Sequence, residues 1–217
     1  ITQLPEVISF AERYPAPELF PEEERQEVSR RVRKAEGRTA LQYSTTEGYN
    51  PLREQIAARM NKKFQTNVNY DDVLITSGSQ QGLDFAGKLF LNEGDVVVLE
   101  SPSYLGAINA FKAYMPKFIE VPTDENGIIP SELEKILATT DRVKFIYVIP
   151  DFQNPTGNTY TLERRKQFMD VVTRYEIPVF EDNPYGELRF EGEISPALKS
   201  MDPKGLVIFL GTFSKIF

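Results

Sequence analysis

Lys215 is a residue whose position in the sequence suggests chemistry. It follows an apolar run, Leu206–Leu210, that predicts a buried strand, and two hydroxyl residues, Thr212 and Ser214, lie between them. Most lysines are solvated surface residues. Burial, however, lowers the pKa of a lysine ammonium and makes the free amine a nucleophile. Lys215 is therefore a candidate for covalent catalysis.

Two other predicted strands also lead into side chains that could bind a ligand. The run Val179–Glu181 leads into Asp182 and Tyr185, and a carboxylate at the end of a buried strand needs a partner. That partner is an ion pair or helix cap in one interpretation and a bound ligand in the other. The run Phe145–Ile149 leads into Asn154 within Asn-Pro-Thr-Gly, which has the composition of an ordinary turn. Alternatively, the Asn154 amide donates to a phenolate-like oxygen.

A turn rich in small residues follows the run Val73–Thr76 and precedes a predicted helix. The backbone N–H groups of Gly78, Ser79 and Gln80, with the Ser79 hydroxyl, could hold a dianionic phosphate. A plain N-cap after a tight turn is the alternative. This turn alone does not decide between the two.

Composition excludes several kinds of site. The 217 residues include no cysteine and no histidine, which excludes disulfides, thiolate nucleophiles, cysteine-based zinc sites, Ser-His-Asp triads and imidazole bases. We predict no metal site, so catalysis has to use lysine, tyrosine, carboxylates, hydroxyls or a cofactor. The formal net charge of −7 disfavours nucleic acid as a partner. No apolar run approaches the roughly 18 residues that cross a bilayer, so we expect no membrane contact.

Short apolar runs alternate with helical stretches from residue 73 onwards. This pattern predicts an α/β fold, a three-layer sandwich with a mostly parallel central sheet. The predicted strands are Val73–Thr76, Val96–Leu99, Phe118–Val121, Phe145–Ile149, Val179–Glu181 and Leu206–Leu210. The predicted helices are Gln80–Leu91, Tyr104–Ala113, Ser131–Ala138 and Leu162–Tyr175. Ligands of such sheets bind beyond the carboxyl ends of the strands.

The N-terminal part predicts an arm and two helices. Residues 1–20 contain three prolines and predict an extended arm. A helix is expected to begin after Pro21, with three glutamates in its first turn, and to end at Gly37. A second helix is expected to be capped by Asn50-Pro51, and its predicted apolar face consists of Leu52, Ile56, Met60 and Phe64. We predict an arm and helix over residues 1–37 and a large cofactor-binding domain over residues 38–217.

The candidate residues together supply what pyridoxal 5′-phosphate requires of a protein. In chain order they are the turn at 78–80, Tyr104, Asn154, the pair Asp182 and Tyr185, and Lys215. On these residues the chain resembles the fold-type I, class I/II aminotransferases, in the branch of 2-aminoadipate, kynurenine and broad-specificity aminotransferases. The resemblance extends from Phe10 to Lys215. It implies a cytoplasmic enzyme of amino-acid metabolism that exchanges an amino group between an amino acid and a 2-oxo acid by a ping-pong mechanism.

The resemblance also implies a role for each residue around the cofactor ring. Lys215 carries the cofactor covalently and later moves a proton. Asp182 pairs with the protonated pyridine nitrogen, so that the ring remains an electron sink. Asn154 and Tyr185 hydrogen-bond the phenolic oxygen, and Tyr104 stacks on the ring face. Asp182, Tyr185 and Lys215 are thereby the implied catalytic residues.

The implied phosphate contacts come from two subunits. The residues on the same chain are Gly78, Ser79, Gln80, Thr212 and Ser214. The segment Tyr43–Gly48 matches the family segment whose tyrosine reaches the phosphate of the neighbouring subunit, although Tyr43 alone is also compatible with a surface aromatic. The resemblance therefore implies a homodimer.

Two departures from the family bear on the substrate. Glu12 and Arg13 stand where relatives have a pair of glycines near the substrate. The Arg13 guanidinium would favour acidic side chains such as those of glutamate or 2-aminoadipate. In the alternative, Arg13 forms an exposed ion pair with Glu12 and has no role in selection. Because the chain begins at Ile1 and ends at Phe217, we also expect a longer parent, in which the smaller domain and the substrate-carboxylate arginine lie beyond Phe217.

Two other functions are compatible with the same cofactor. One is a different reaction of the bound amino acid, such as C–S lysis or decarboxylation, because lids and the smaller domain select the outcome. The other is the effector domain of a transcription regulator, in which a winged-helix DNA-binding segment would precede Ile1.

Overall fold

The computed structural model describes residues 16–216. They belong to two compact units, one up to Ser44 and the other Thr45–Ile216. The segment with Phe10, Glu12 and Arg13 lies outside the described residues, so the expectations for it stay predictions. Residues 37 and 38, where we predicted the domain boundary, lie inside a helix. As a division of the whole protein, that boundary also stays a prediction.

In the first unit, a short 3₁₀ turn, Pro17–Leu19, precedes one long helix, α1, Glu22–Ala40. It begins after Pro21 as predicted, and Glu22, Glu23 and Glu24 lie at the positive end of its dipole. The predicted end at Gly37 falls beside an interruption of this span: Glu36 is not helical (φ −133°, ψ 20°), so a kink separates the helix that begins at Glu22 from a further helical turn that ends at Ala40.

The second unit contains a six-stranded sheet with the order β3-β2-β1-β4-β5-β6. Its strands are β1 Val96–Ser101, β2 Lys117–Asp124, β3 Gly127–Ile128, β4 Val143–Val148, β5 Val179–Asn183 and β6 Val207–Gly211. All neighbouring strands are parallel except β2 and β3. The mostly parallel sheet is therefore confirmed, and the short antiparallel β3 was not predicted.

Helices cover both faces of this sheet, which confirms the three-layer sandwich. They are α2 Asn50–Phe64, α3 Ser79–Phe90, α4 Leu105–Lys112, α5 Pro130–Thr139 and α6 Leu162–Tyr175, with 3₁₀ turns at Tyr70–Asp72 and Leu198–Met201. Alternate strand residues point to opposite layers. Leu99, Tyr147 and Phe180 belong to the core that includes α3 and α4. Val98 and Val148 belong to the core that includes α5 and α6.

Helix α2 differs from its predicted arrangement. Asn50 is the first helical residue, and its Oδ1 accepts from Arg53 Nη1 at 2.8 Å, so it does not cap the helix. The buried residues are Arg53, Ala57 and Phe64, whereas Leu52 is exposed. The face is shifted because Arg53 binds the segment that follows the helix. Its Nε donates to the carbonyl of Val73 at 2.8 Å.

The segment Val73–Thr76 is extended, but the prediction that it is a strand of the sheet is wrong. Its bonds go elsewhere, since Ile75 N donates to the carbonyl of Glu47 at 2.9 Å. A cavity of about 660 Å³ is lined both by this segment and by Val207 and Phe209 of β6. No helix among residues 16–216 has the length and apolar character needed to cross a membrane.

Candidate active site

The carboxyl ends of β4, β5 and β6 lie side by side, because these three strands are parallel neighbours. Asp182 and Asn183 end β5, and their register partners in β6 are Leu210 and Gly211. Lys215 is half-buried in the turn that follows β6. The structure thus brings the segments of three predicted site residues, Asn154, Asp182 and Lys215, to one edge of the sheet.

Asp182 is buried, with 4% of its surface exposed, and its two carboxylate oxygens differ. Oδ2 accepts a hydrogen bond from the Tyr147 hydroxyl at 2.7 Å. Oδ1 is buried and has no hydrogen-bond partner in the described structure. Burial raises the pKa of Asp182 to about 6, against the lowering effect of the Tyr147 hydroxyl. An unsatisfied buried carboxylate oxygen is costly and is suited to a cationic N–H donor.

Tyr104 lies immediately before α4, and its ring folds back over the first turn of that helix. A Cβ atom at Gly106 would lie 2.4 Å from Tyr104 Cζ, so this ring position requires glycine at 106. The pKa of the Tyr104 hydroxyl is raised, first by burial and then by the nearby Tyr185 and Asp182. The phenol therefore stays neutral at neutral pH.

Asn154 and Tyr185 lie on the loops after β4 and β5, and their polar ends approach each other. Asn154 Nδ2 donates to the Tyr185 hydroxyl at the long distance of 3.4 Å. The turn around Asn154 is held by another side chain, since Gln153 Oε1 accepts from Thr156 N and Thr156 Oγ1, each at 2.8 Å. The turn interpretation and the ligand interpretation are therefore compatible. Gln153 closes the turn, and the Asn154 amide faces Tyr185.

Asp151 connects these two loops, and we did not predict it from the sequence. Its Oδ1 accepts from Arg165 Nη2 at 2.8 Å and from Arg189 Nη2 at 3.4 Å, while its Oδ2 accepts from Asn183 Nδ2 at 3.0 Å. Asn183 in turn accepts from the backbone N–H of Gly186 at 2.9 Å. A charged residue directly after an apolar strand is the sequence signal that could have identified Asp151.

The start of α3 supplies the candidate phosphate contacts. Gly78, with φ +80°, is the N-cap and makes no side-chain cap, so the structure has the N-cap of the alternative interpretation and leaves the phosphate interpretation open. The first N–H groups of a helix have no intrahelical acceptors, which makes this end suitable for an anion. The Ser79 hydroxyl donates to the carbonyl of Gly211 at 3.3 Å, which joins α3 to the end of β6.

The turn after β6, which Ser79 joins to α3 through Gly211, contains two hydroxyl side chains that bond to each other. Thr212 Oγ1 donates to Ser214 Oγ at 2.9 Å and accepts from Ser214 N at 3.1 Å. Gln80 differs from the expectation in one respect, because its side-chain amide donates to the carbonyl of Gly106 at 3.1 Å. Its backbone N–H is therefore the group that remains suited to a phosphate.

These residues fit pyridoxal 5′-phosphate. The unpaired Oδ1 of Asp182 suits a pyridinium N–H, the pair of Asn154 and Tyr185 suits a phenolic oxygen, and the uncapped start of α3 suits a phosphate. Tyr43 belongs to the first unit, where it is 98% exposed. Its role in a neighbouring subunit stays a prediction. Among residues 16–216 there is no cluster of three or more potential metal ligands.

Known proteins with similar sequences identify a family for this chain. The family model for aminotransferase class I and II matches residues 13–217. The aromatic-amino-acid aminotransferase 1 of Thermococcus litoralis is 42% identical, and the 2-aminoadipate transaminase of Thermus thermophilus is 45% identical. Each match covers all of this chain and 53% of the relative, so the chain spans about half the length of these curated relatives.

Solved structures of aminotransferases superimpose closely on the chain. A multiple substrate aminotransferase from Thermococcus profundus matches with a TM-score of 0.92 at 43% identity, over 100% of this chain and 55% of the other. The α-aminoadipate aminotransferase of Thermus thermophilus, complexed with N-(5′-phosphopyridoxyl)-L-leucine, matches with a TM-score of 0.87 at 45% identity, over 96% and 52%. On its sequence, its sheet and the residues at the end of that sheet, the chain belongs to the class I and II aminotransferase family.

Proposed function

We propose that the protein is a pyridoxal 5′-phosphate-dependent aminotransferase that exchanges an amino group between an amino acid and a 2-oxo acid by a ping-pong mechanism. The observation that carries this proposal is the buried Oδ1 of Asp182, which lacks a partner at the carboxyl end of β5. Membership of the family supports it, as do the relatives, which are named aminotransferases. When bound, the cofactor supplies an electron sink for the electrons released at Cα of the amino acid.

The side chains divide the remaining tasks. Lys215 Nζ holds the cofactor covalently and, when released, carries a proton to and from the substrate carbon. Asp182 holds the proton on the pyridine nitrogen, because a buried carboxylate stabilises the adjacent cation. Tyr104 would stack on the cofactor ring and exclude water from it. Asn154 and Tyr185 would donate hydrogen bonds to the phenolic oxygen and thereby orient the ring.

The phosphate contacts fix the cofactor at its other end. We assign them to the N–H groups of Gly78, Ser79 and Gln80 and to the hydroxyls of Ser79, Thr212 and Ser214. The bond from Ser79 to Gly211 brings the two groups of hydroxyls together. These contacts would hold the cofactor at its phosphate, and Asp182 would hold it at its pyridine nitrogen.

The assignment of Lys215 can be tested on the full-length protein. Borohydride reduction of the cofactor-loaded protein, followed by peptide mass mapping, is expected to place the pyridoxyl group on Lys215. A pyridoxyl group on Lys199 or Lys204 would contradict the proposal. A Lys215→Ala variant, with the same reduction and mapping, is the control and is expected to carry no pyridoxyl group.

The product assay separates this function from its alternatives. An aminotransferase releases a 2-oxo acid and a new amino acid, whereas a C–S lyase releases pyruvate and a thiol. The names of the relatives favour transamination over lysis and over a regulator domain. Pyruvate and thiol without a new amino acid would overturn the proposal.

Three finer points are part of the proposal; the first two rest on the resemblance to the family, and the third rests on a departure from it. They are a homodimer in which Tyr43 contributes to the other subunit's phosphate site, a cytoplasmic location, and a preference for acidic substrates through Arg13. For the homodimer, sedimentation at nanomolar concentration is expected to show dimers, and a fully active monomer would contradict it. For Arg13, Arg13→Gly is expected to lower kcat/KM for acidic donors alone.

A further inference from the structure

Tyr147 is a fully buried tyrosine whose hydroxyl reaches the site from the middle of the sheet. Its register partner in β5 is Phe180, so Tyr147 and Asp182 lie on the same face of the sheet. The Tyr147 ring packs edge-on against Phe111, with 5.8 Å between the ring centroids. The ring is held by the core, and its hydroxyl oxygen lies 2.7 Å from Asp182 Oδ2.

The pair of Tyr147 and Asp182 is surrounded mainly by apolar side chains of the core. The ionisable groups that act on the pair are Tyr104, which lies before α4 and interacts with both members, and Glu100 of β1, which acts on Tyr147. The pKa of the Tyr147 hydroxyl is raised well above its usual value, chiefly by burial and then by Asp182. Tyr147 is therefore a proton donor at neutral pH, and its bond favours the ionised form of Asp182.

We propose that Tyr147 is a positioning residue for Asp182. The Tyr147 hydroxyl donates to Oδ2 of Asp182, which keeps the carboxylate ionised and leaves Oδ1 as the acceptor for the pyridine nitrogen. This inference rests on the proposed function. Without the hydroxyl, both oxygens of Asp182 would be buried and unpaired, and the carboxyl group would bind a proton instead. A neutral acid does not balance a pyridinium cation, so cofactor binding would become weaker.

The alternative is that Tyr147 is only a core residue. The substitution Tyr147→Phe would then lower the stability of the fold without affecting cofactor binding.

Direct observation of the Asp182 carboxyl group distinguishes the positioning role from the purely structural one. The pKa of Asp182 can be followed by ¹³C NMR in full-length, cofactor-free protein with labelled aspartate, and the Asp182→Asn spectrum identifies the signal. The dissociation constant of pyridoxal 5′-phosphate is measured by absorbance titration over a range of pH.

In Tyr147→Phe we expect the pKa of Asp182 to rise by about one unit. Because the cofactor needs the ionised carboxylate, we expect its dissociation constant to rise about tenfold at pH 5, where Asp182 is mostly protonated in both proteins, and about twofold at pH 7. The difference from the unsubstituted protein should shrink at higher pH, where Asp182 ionises in both proteins. The matched control is Tyr114→Phe, because Tyr114 donates to Asp84 at the same distance, 2.7 Å, and lies outside the proposed site. It is expected to change neither quantity.

If Tyr147→Phe and Tyr114→Phe had the same pKa of Asp182 and the same cofactor dissociation constant, the role of Tyr147 would be overturned. If the unsubstituted protein did not bind pyridoxal 5′-phosphate, the proposed function would fail instead, and the two failures are therefore distinguishable. If Tyr147→Phe did not fold, fluorotyrosine at position 147 would replace it, since its hydroxyl is a stronger donor in the same shape. A lower pKa of Asp182 is then expected, and an unchanged pKa would contradict the inference.

Discussion

At the scale of single residues, the hydrogen-bond partners of a carboxyl group determine whether it can bind a ligand. Two consecutive acids of β5, Glu181 and Asp182, differ in this respect. Glu181 accepts N–H groups with both oxygens, from Leu198 at 2.8 Å and from Lys199 at 2.9 Å. Asp182 has a donor on one oxygen only. Glu181 is therefore committed to the 3₁₀ turn beside it, whereas Asp182 retains capacity for a ligand.

We predict that Asp182→Asn still binds the cofactor, although more weakly, and loses several orders of magnitude in turnover when it is saturated with cofactor. An amide does not hold the proton on the pyridine nitrogen, and each ~1.4 kcal/mol added to the barrier costs tenfold in rate. Single-turnover half-reactions measure the effect. Glu181→Gln, measured at equal folded fraction, is the control and is expected to keep its half-reaction rate. A near-normal rate in Asp182→Asn would leave Asp182 with a structural role only.

The sequence predicts part of this site and misses a part for a physical reason. Asp182, Asn154 and Lys215 were predicted because polar residues directly after apolar runs are visible without the fold. Tyr147 was not, since it reads as one more apolar position within a strand. Its role depends on the register between β4 and β5, which sets its hydroxyl beside Asp182. Asp151 also follows an apolar run, but its role as a link between loops was missed because Arg165 and Arg189 are brought to it only by the fold.

At the scale of elements, Asp151 joins three parts of the fold. Arg165 attaches it to α6, Asn183 attaches it to the end of β5, and Arg189 attaches it to the loop beyond. Arg165 is fully buried, and it also donates to the carbonyls of Tyr160, Pro150 and Pro196. The loops that carry Asn154 and Tyr185 are thereby fixed to one helix through a single carboxylate.

Asp151→Asn is expected to lower the free energy of unfolding by about 3–5 kcal/mol, because it leaves a buried guanidinium without its counter-charge. Urea denaturation of the full-length protein measures this. The adjacent arginine gives a matched control. Arg164 pairs with Asp124 at the same 2.8 Å, but that carboxylate is 39% exposed. Asp124→Asn should cost about 1 kcal/mol or less. Equal costs in the two variants would show that burial of the Asp151 pair adds nothing.

The elements themselves were predicted well wherever hydrophobic periodicity determines them. Five of the six predicted strands occur, and α6 has the predicted bounds. The failures arise where tertiary contacts compete with local pattern. Val73–Thr76 has a strand-like sequence, yet it bonds to Glu47 and Arg53. The face of α2 turned because Arg53 is buried by its bonds to Val73 and Asn50.

At the scale of the whole molecule, buried carboxyl groups determine how the chain responds to pH near neutrality. The chain has no histidine. Burial raises the pKa of Glu100 and of Glu181 to about 7 and that of Asp182 to about 6. Between about pH 4.5 and 7 these groups bind more protons in the folded protein than in the unfolded chain. Stability therefore falls as pH rises through this range.

We predict that the free energy of unfolding decreases from pH 5 to pH 7.5, by about 2 kcal/mol for each of Glu100 and Glu181. Acids with lowered pKa values, such as Asp95 and Asp124, act in the opposite direction, but at lower pH. Urea denaturation at several pH values measures the slope. The double variant Glu100→Gln and Glu181→Gln should flatten it, and Glu54→Gln, on the exposed surface, should leave it unchanged. A stability that rises over this range would contradict the prediction.

The consecutive acids of β5 have a consequence for how sequence change is tolerated in this strand. A deletion of one residue would turn Glu181 toward the α3 and α4 layer and Asp182 toward the opposite layer. A carboxylate would still face each layer, so charge alone does not distinguish the correct register from the shifted one. Val179 and Phe180 do distinguish them, because each fills a different core. Val179 and Phe180 thus disfavour a shift of the strand register by one residue. Substitutions that made these two residues alike in size would remove this preference.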